Sequence, residues 1–372
     1  MSQRLLFVID SLSRFGATRQ LDLLTRELAS DFDVHVAVLS VAEELPWTHD
    51  ERRCIHFLGV DNRNDTLRSL TRSGFRLRKL VKKLEPSIVH SWCHVAQRVA
   101  LSATHDIDSV SHFATEMYIR PSSNMTLEAI DRRLGMPVKQ FVVTHDEIKK
   151  SLANIGYPEN RISTIPSAID HSVKGNGEVR DSARRKLIQL GGFGDHVQIA
   201  GAVAPLVPRS RLKDLIWATD LLTCIRDDVH FFIFGQGSQR QRLERFAFQT
   251  EAGHHVHFID AEINAIELIP GLDFFWHSHL NEPLPSALCH AMQNEVPVVS
   301  VYGPGTSELF THQESGFATN FGARDEFARW TKFLLELTEQ GKQLAEQGRA
   351  SLAGKFTAES MAGAYRELYA KS

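Results

Sequence analysis

The chain has 372 residues, 42% apolar and 23% charged, and its 42 Lys and Arg against 45 Asp and Glu leave a formal net charge of −3. That balance is ordinary for a globular protein and offers no excess of cations to hold a nucleic acid backbone. The length exceeds what one core usually fills, so two domains are expected. No apolar run approaches the ~20 residues of a membrane span, and the start of the chain passes directly into LLFVID, a first strand rather than a signal peptide. Cys54, Cys93, Cys224 and Cys289 are scattered without metal-ligand spacing, which predicts buried thiols and a reducing, cytoplasmic setting.

The chain opens as a βαβ unit. Residues 5–9 are an apolar run, a loop with Gly16 follows, Leu21, Leu24 and Leu28 recur at helical spacing, and 34–39 is the next strand. Right-handed crossovers then imply a parallel sheet. The loop SLSRFGAT has a single glycine and is not the three-glycine dinucleotide fingerprint. Residues 54–58 predict a strand, and 67–84 a helix with an apolar stripe of Leu77, Leu80, Val81 and Leu84. This helix is the most basic part of the chain, through Arg68, Arg72, Arg76, Arg78, Lys79, Lys82 and Lys83. It is expected to pack on the sheet with its charges in water, the alternative being contact of 68–83 with an anionic membrane. A strand from Pro86 ends in His90, Trp92 and His94, and the strand 110–113 places His112 near its end. A helix at 126–134, a strand at 141–143, a helix at 145–153 and a turn–strand–turn at 156–170 complete the first half.

Glycines 175, 177, 191, 192 and 194 flank one helix and mark residues 173–195 as an interdomain linker. The second half repeats the α/β pattern. Strands are predicted at 197–203, 229–234 (closing at Gly235 and Gly237) and 255–259, with helices at 212–223, 240–250 and 265–269. Residues 272–299 then read as strand, polar turn from His277 to Glu282, a helix from Pro285 to Asn294, and strand. Open α/β sheets place ligands outside the carboxyl ends of their strands, and a helix beginning beside Glu282 offers N–H groups to an anion or a sugar hydroxyl. The loop YGPGTSEL, an extended piece at 316–319 and helices at 325–347 and 358–369 end the chain. His90, His94, His277 and His279 lack a third convergent ligand, so no metal site is expected, and no hydrolase or kinase motif occurs.

Several of these segments together resemble the retaining, nucleotide-sugar-dependent glycosyltransferases of the glycosyltransferase family 4, or glycosyl transferases group 1, type. They are the Gly16 loop, IVHSW (88–92), PENRISTIPSAID (158–170), VPRSRLKDLIWA (207–218) and FFIFGQGSQRQRLE (231–244). The most specific is Glu, seven residues, Glu-Ala-Met, which is similar to Glu282 through His290-Ala291-Met292, followed by Gly305-Thr306-Ser307-Glu308 in place of Gly-x-Pro-Glu. The resemblance implies an α/β protein of GT-B fold, with two Rossmann-like domains facing each other across a cleft. Its parts are an acceptor-side domain over 1–172, the linker and helix at 173–195, a donor-side domain over 196–355, and a C-terminal helix, 356–372, packing back on the first domain. It further implies a UDP-, GDP- or ADP-sugar as substrate, no obligatory cofactor or metal, and a saccharide, lipid-linked or small-molecule acceptor. Glu282 and His112 become the catalytic candidates. Gly16 becomes a phosphate or acceptor contact, and Arg209, Arg211, Lys213, Gly235, His290, Gly305, Thr306, Ser307 and Glu308 become donor contacts.

Three positions depart from the family's pattern. Pro205 and Ser210 stand where the family has the Arg and Lys that meet the diphosphate, and His290 stands where it has the second Glu. Proline has no hydrogen-bonding side chain, serine no charge, and imidazole only one acceptor nitrogen. Two readings follow: a glycosyltransferase whose phosphates are met from a shifted register by Arg209, Arg211 or Lys213, or a GT-B-like binding or scaffold protein without turnover.

Overall fold

The computed structural model describes residues 3–12, 17–40, 53–59, 67–117, 133, 137–169, 177–194, 196–260, 264–280, 282 and 284–371. Contacts divide the chain into two compact units: Met1–Ala168 with Phe356–Ser372, and Ile169–Lys355.

The first unit is built on a seven-stranded, all-parallel sheet among the described residues. Its strands are β1 (Gln3–Ile9), β2 (Phe32–Val38), β3 (Arg53–Phe57), β4 (Ile88–Trp92), β5 (Ser111–Glu116), β6 (Gln140–Val143) and β7 (Ile162–Thr164), in the order β3-β2-β1-β4-β5-β6-β7. The helices are α1 (Ala17–Leu28), α2 (Leu67–Leu84), α3 (His94–Thr104) and α4 (Asp146–Ile155). Helices cover both faces, so β1 is buried without alternation from Leu5 to Ile9, as a central parallel strand requires. Leu5, Phe7 and Ile9 pack toward α1, while Leu6 and Val8 meet Leu77 and Val81 of α2. The basic helix thus packs on the sheet, with Lys79, Lys82 and Lys83 exposed and Arg78 paired to Asp106 at 2.5 Å.

The last helix, α13 (Ala358–Ala370), belongs to this unit. Met361, Ala362, Tyr365 and Tyr369 join the core beneath α1. The docking is also polar: the His90 Nδ1 lies 2.7 Å from the Tyr369 hydroxyl, its Nε2 2.8 Å from Thr115 Oγ1, and Thr115 Oγ1 3.0 Å from the Tyr365 hydroxyl. Burial holds His90 down to about 3 and His112 down to about 4. Both are therefore neutral when folded, whereas unfolded histidine takes a proton near pH ~6.5. Their stabilisation is complete above that value and is lost as pH falls toward the folded values. At pH 5 each is expected to cost about 2 kcal/mol relative to pH 8. Urea midpoints at the two pH values check this: His90→Gln should remove its share of the difference, and a variant that retains the whole wild-type difference would sink the assignment.

The second unit begins with α5 (Gly177–Gly191). This helix, expected as part of a linker, is held to the unit by Arg184, which reaches Asp273 at 2.6 Å. The sheet has six parallel strands among the described residues: β8 (Gln198–Val203), β9 (Val229–Phe234), β10 (Val256–Ile259), β11 (Phe274–His277), β12 (Val298–Val301) and β13 (Phe317–Thr319), in the order β10-β9-β8-β11-β12-β13. Between them lie α6 (Leu212–Thr223), α7 (Arg240–Phe248), α8 (Ala265–Leu268), α9 (Ser286–Gln293) and α10 (Pro304–Ser307), followed by α11 (Arg324–Glu336) and α12 (Thr338–Leu352). Phe231, Ile233, Trp276, Val299, Leu215 and Phe327 form the core between the sheet and α6, α7 and α11.

The fold departs from the sequence pattern at one helix and at two cysteines. The single helix at 325–347 is two, because Leu337 leaves the helical region at φ −119° and ψ 65°. The buried stripe Phe327, Thr331, Leu334, Gly341, Leu344 and Gly348 continues at spacings of three and four on either side, so periodicity passes straight over the break. Of the four thiols expected to be buried, Cys54 and Cys224 are exposed, on an edge strand and at a helix end. Apart from residue 133, the helix expected at 126–134 lies outside the described residues.

Candidate functional site

In both sheets the strand order reverses at one place, between β1 and β4 in the first unit and between β8 and β11 in the second. The crevice outside the carboxyl ends at such a reversal is where doubly wound sheets bind ligands. In the second unit β11 ends on His277, whose cross-strand partner in β12 is Ser300. Register therefore brings the two side chains together, and His277 Nδ1 lies 3.0 Å from Ser300 Oγ. Five residues on, Glu282 turns back so that Oε2 is 3.0 Å from His277 Nε2. The imidazole is 5% exposed and the carboxylate 34%. A buried histidine thus holds a carboxylate that still reaches solvent.

The proton positions follow from donor chemistry. A carboxylate only accepts, so Nε2 carries the hydrogen toward Glu282. Nδ1 then accepts the Ser300 hydroxyl hydrogen. If the ring is doubly protonated, Nδ1–H donates to Ser300 Oγ, whose hydrogen turns to the Val301 carbonyl 3.2 Å away. Ser300 therefore satisfies Nδ1 in either state of the ring.

Neighbouring loops close around this pair. Ser278 Oγ donates to the Ser210 carbonyl at 2.6 Å and so ties the loop after β8 to the end of β11. Ser210 itself is fully buried, and its own hydroxyl has no partner among the described residues. A side chain at Gly303 would lie 2.4 Å from the Leu280 carbonyl oxygen, so glycine lets the loops after β11 and β12 touch. His279 is lowered chiefly by burial, opposed by Glu282 and reinforced by His277 and Arg209. The buried Cys289 thiol of α9 is raised by burial and then by the charge of Glu282.

The expected donor residues separate into groups. Arg209 is exposed on the loop after β8, and its charge acts on His279 against that of Glu282. Arg211 and Lys213 are engaged elsewhere: Arg211 bonds Asp214 at 2.5 Å and covers Phe321, and Lys213 lies over Phe246 on α7. Proximity in sequence to the phosphate-binding register suggested otherwise, but α6 starts at Leu212 and turns both outward. Gly235 is set by close approach, since a Cβ there would meet the Ala204 carbonyl oxygen at 2.0 Å. Gly305 and Thr306 are buried in α10, where Thr306 Oγ1 caps Gly303 N–H at 2.9 Å, while Ser307 and Glu308 are exposed. His290 is buried on α9. Gly16 lies outside the described residues.

His112 is displaced from its expected role. It is the second residue of β5, not near the end, and its Nε2 bonds Thr104 at the close of α3. That puts it at the amino edge of the sheet, opposite the crevice. The residues at the carboxyl edge are Asp10 after β1, Cys93 and His94 after β4, and Glu116 closing β5. Cys93 has a left-handed φ of 72° and donates its N–H to the Thr115 carbonyl at 2.9 Å. Its thiol is raised by burial and then by Glu116 and Asp10, and His94 Nδ1 is 3.9 Å from Glu116. Asp10 is raised by burial against the pull of the Ser11 N–H. Sequence reading missed Glu116 because it took β5 to stop at Phe113, before the strand's polar end. Among the described residues no group of three or more His, Cys, Asp or Glu is placed to hold a metal, and no helix is long and apolar enough to cross a membrane.

Two α/β units in succession, each doubly wound with its reversal crevice, define the GT-B class of fold. A model of the glycosyltransferase family 4 domain matches residues 16–173, and one of glycosyl transferases group 1 matches residues 184–351. Together they span most of the chain, which belongs to this family of two-domain glycosyltransferases. The whole fold is similar to that of Anabaena Alr3699/HepE in complex with UDP and glucose, with a TM-score of 0.85, 17% identity and 100% of each chain covered. The sucrose-phosphate synthase of Thermosynechococcus elongatus gives 0.82, at 15% identity and the same coverage. In sequence, the lipopolysaccharide core biosynthesis glycosyltransferase LpsE of Rhizobium meliloti is 26% identical over 142 residues. That match spans 38% of this chain and 42% of the relative's length.

Proposed function

We propose that the protein transfers a sugar from a nucleotide-sugar donor to an acceptor hydroxyl with retention of configuration. The observation that supports this most is the Glu282 carboxylate, fixed by His277 at the reversal crevice of the second unit. The bond from the sugar's anomeric carbon to the diphosphate breaks, the bond to the acceptor oxygen forms, and the acceptor's proton leaves with the released diphosphate. Glu282 faces the sugar, where a carboxylate offsets the positive charge that develops as the anomeric bond breaks. Arg209 and the N-terminal amides of α9 meet the phosphates in place of the Arg and Lys that the family has at positions 205 and 210. Gly305, Thr306, Ser307 and Glu308 border the donor.

The acceptor is a saccharide, lipid-linked or small. Asp10, at the crevice of the first unit, supplies an acceptor for its hydroxyls. The outward face of α2, with Phe75, Lys79, Lys82 and Lys83, would meet an anionic membrane if the acceptor is lipid-linked.

The test is calorimetry with UDP-, GDP- and ADP-sugars, followed by transfer assays on an acceptor panel. Binding of one donor class with turnover is the expected result. Donor binding without turnover on any acceptor would favour the scaffold reading that Pro205, Ser210 and His290 suggest, and no binding at millimolar donor would remove the proposal.

A further inference from the structure

We propose that the groove between α6 and α7 is a second site, which binds a phosphate-bearing ligand and is separate from the β8–β11 crevice. The groove encloses about 500 Å³. Arg211, Lys213, Arg242, Arg245 and Arg324 line it, with Asp214 as the single carboxylate. Its charge is already taken up, since Asp214 is 5% exposed and bonds Arg211 Nε at 2.5 Å and Arg324 Nε at 2.9 Å. Lys213, Arg242 and Arg245 form no ion pair among the described residues. In a chain whose overall charge is −3, five cations on one concavity are not the general surface composition.

Aromatic rings hold three of the five, Lys213, Arg211 and Arg324, without adding a counter-charge. Lys213 Nζ lies 4.2 Å from the Phe246 ring centre, the Arg211 guanidinium 4.5 Å from that of Phe321, and the Arg324 guanidinium 4.8 Å from that of Trp217. Trp217 and Phe246 stack on each other at 6.0 Å. A ring face attracts a cation through its quadrupole but carries no net charge, so the positive field toward the groove is retained. Guanidinium groups held in place match phosphate oxygens bidentately, and a concavity of this size admits a phosphorylated organic group as well as a bare ion. No residue of the loops after β11 and β12 lines the groove. Phosphate binding at the groove is therefore expected whether or not the protein transfers sugars.

Anionic phospholipid headgroups and soluble phosphoesters share this chemistry, and exposed Phe248, Phe321, Trp217 and Leu221 lie on or beside the same elements. Inorganic pyrophosphate is the probe, titrated into the full chain, into Lys213→Ser/Arg242→Ser/Arg245→Ser and into Arg209→Ser. These side chains sit on exposed helix or loop surface, and thermal melts check that the variants fold. Arg242→Glu alone serves if the triple variant does not.

The triple variant is expected to bind pyrophosphate about tenfold or more weakly, while Arg209→Ser keeps a wild-type binding event at the groove. Weakening in Arg209→Ser alone, with the triple variant unchanged, would overturn the proposal. So would no binding to the wild-type chain. Co-sedimentation with phosphatidylglycerol vesicles, and not with phosphatidylcholine, that the triple variant loses would assign the groove to a lipid headgroup. Retained pyrophosphate binding without co-sedimentation would assign it to a soluble phosphoester.

Discussion

Replacing Glu282 with glutamine should lower kcat for sugar transfer by about 10²–10³-fold, while changing the donor's KM much less. The substitution keeps the shape of the side chain and its acceptor oxygen, so the His277 Nε2–H still has a partner. What is lost is the negative charge, which matters most as positive charge builds at the anomeric carbon. A loss confined to KM would mean that Glu282 only binds the donor, and a variant within about threefold of wild type would refute its assignment. His277 enters the same experiment as a positioning residue. His277→Ala should cost about tenfold, since a carboxylate losing a charge-assisted bond is worth about 1.5–3 kcal/mol and part is regained from water. His277→Gln, whose amide can replace Nε2–H, should recover much of that. A purely packing role would leave both variants equally impaired.

The strands and long helices were legible because their signals are local. The helices Leu67–Leu84 and Leu212–Thr223 and the strand Val229–Phe234 lie at the predicted positions, since each has a continuous apolar pattern bounded by turn residues. Glu282 was legible as a site candidate from one motif. The hand that holds it was not, because His277 and Ser300 meet only through the register of β11 and β12. His112 shows the converse. A polar residue beside a short apolar run could stand at either end of a strand, and only the length of β5, to Glu116, decides between the crevice edge and the opposite one. Arg209, Arg211 and Lys213 are equivalent by charge and spacing. At Arg211, with a left-handed φ of 49°, α6 begins, and Arg211 and Lys213 turn to Asp214, Phe321 and Phe246. No propensity scale locates such a turn.

Asp22→Ala should destabilise the first unit by about 3–5 kcal/mol, the usual cost of breaking a buried ion pair by removing one partner. Asp22 is 1% exposed on α1, and Arg53, the first residue of the edge strand β3, has a side chain 2% exposed. The two meet at 2.7 Å, and the same carboxylate accepts from Arg26 at 2.8 Å and from Arg19 at 3.1 Å. Arg53 also donates to Thr25 Oγ1 at 3.0 Å, which survives the substitution but supplies no charge. Apolar replacement of both partners, Asp22→Leu with Arg53→Met, should recover most of the loss, because desolvation of the pair offsets much of its attraction. Urea unfolding of the two variants measures the difference. A loss below about 1 kcal/mol for Asp22→Ala would place the pair with exposed ion pairs, and would predict a sensitivity to salt that a buried pair lacks. The charge belongs where it is for a geometric reason as well. β3 is the outer strand of its sheet, and Arg53 is the side chain that anchors its first residue to α1, so the same substitution should raise amide exchange in β3 before it does so in β1 or β4.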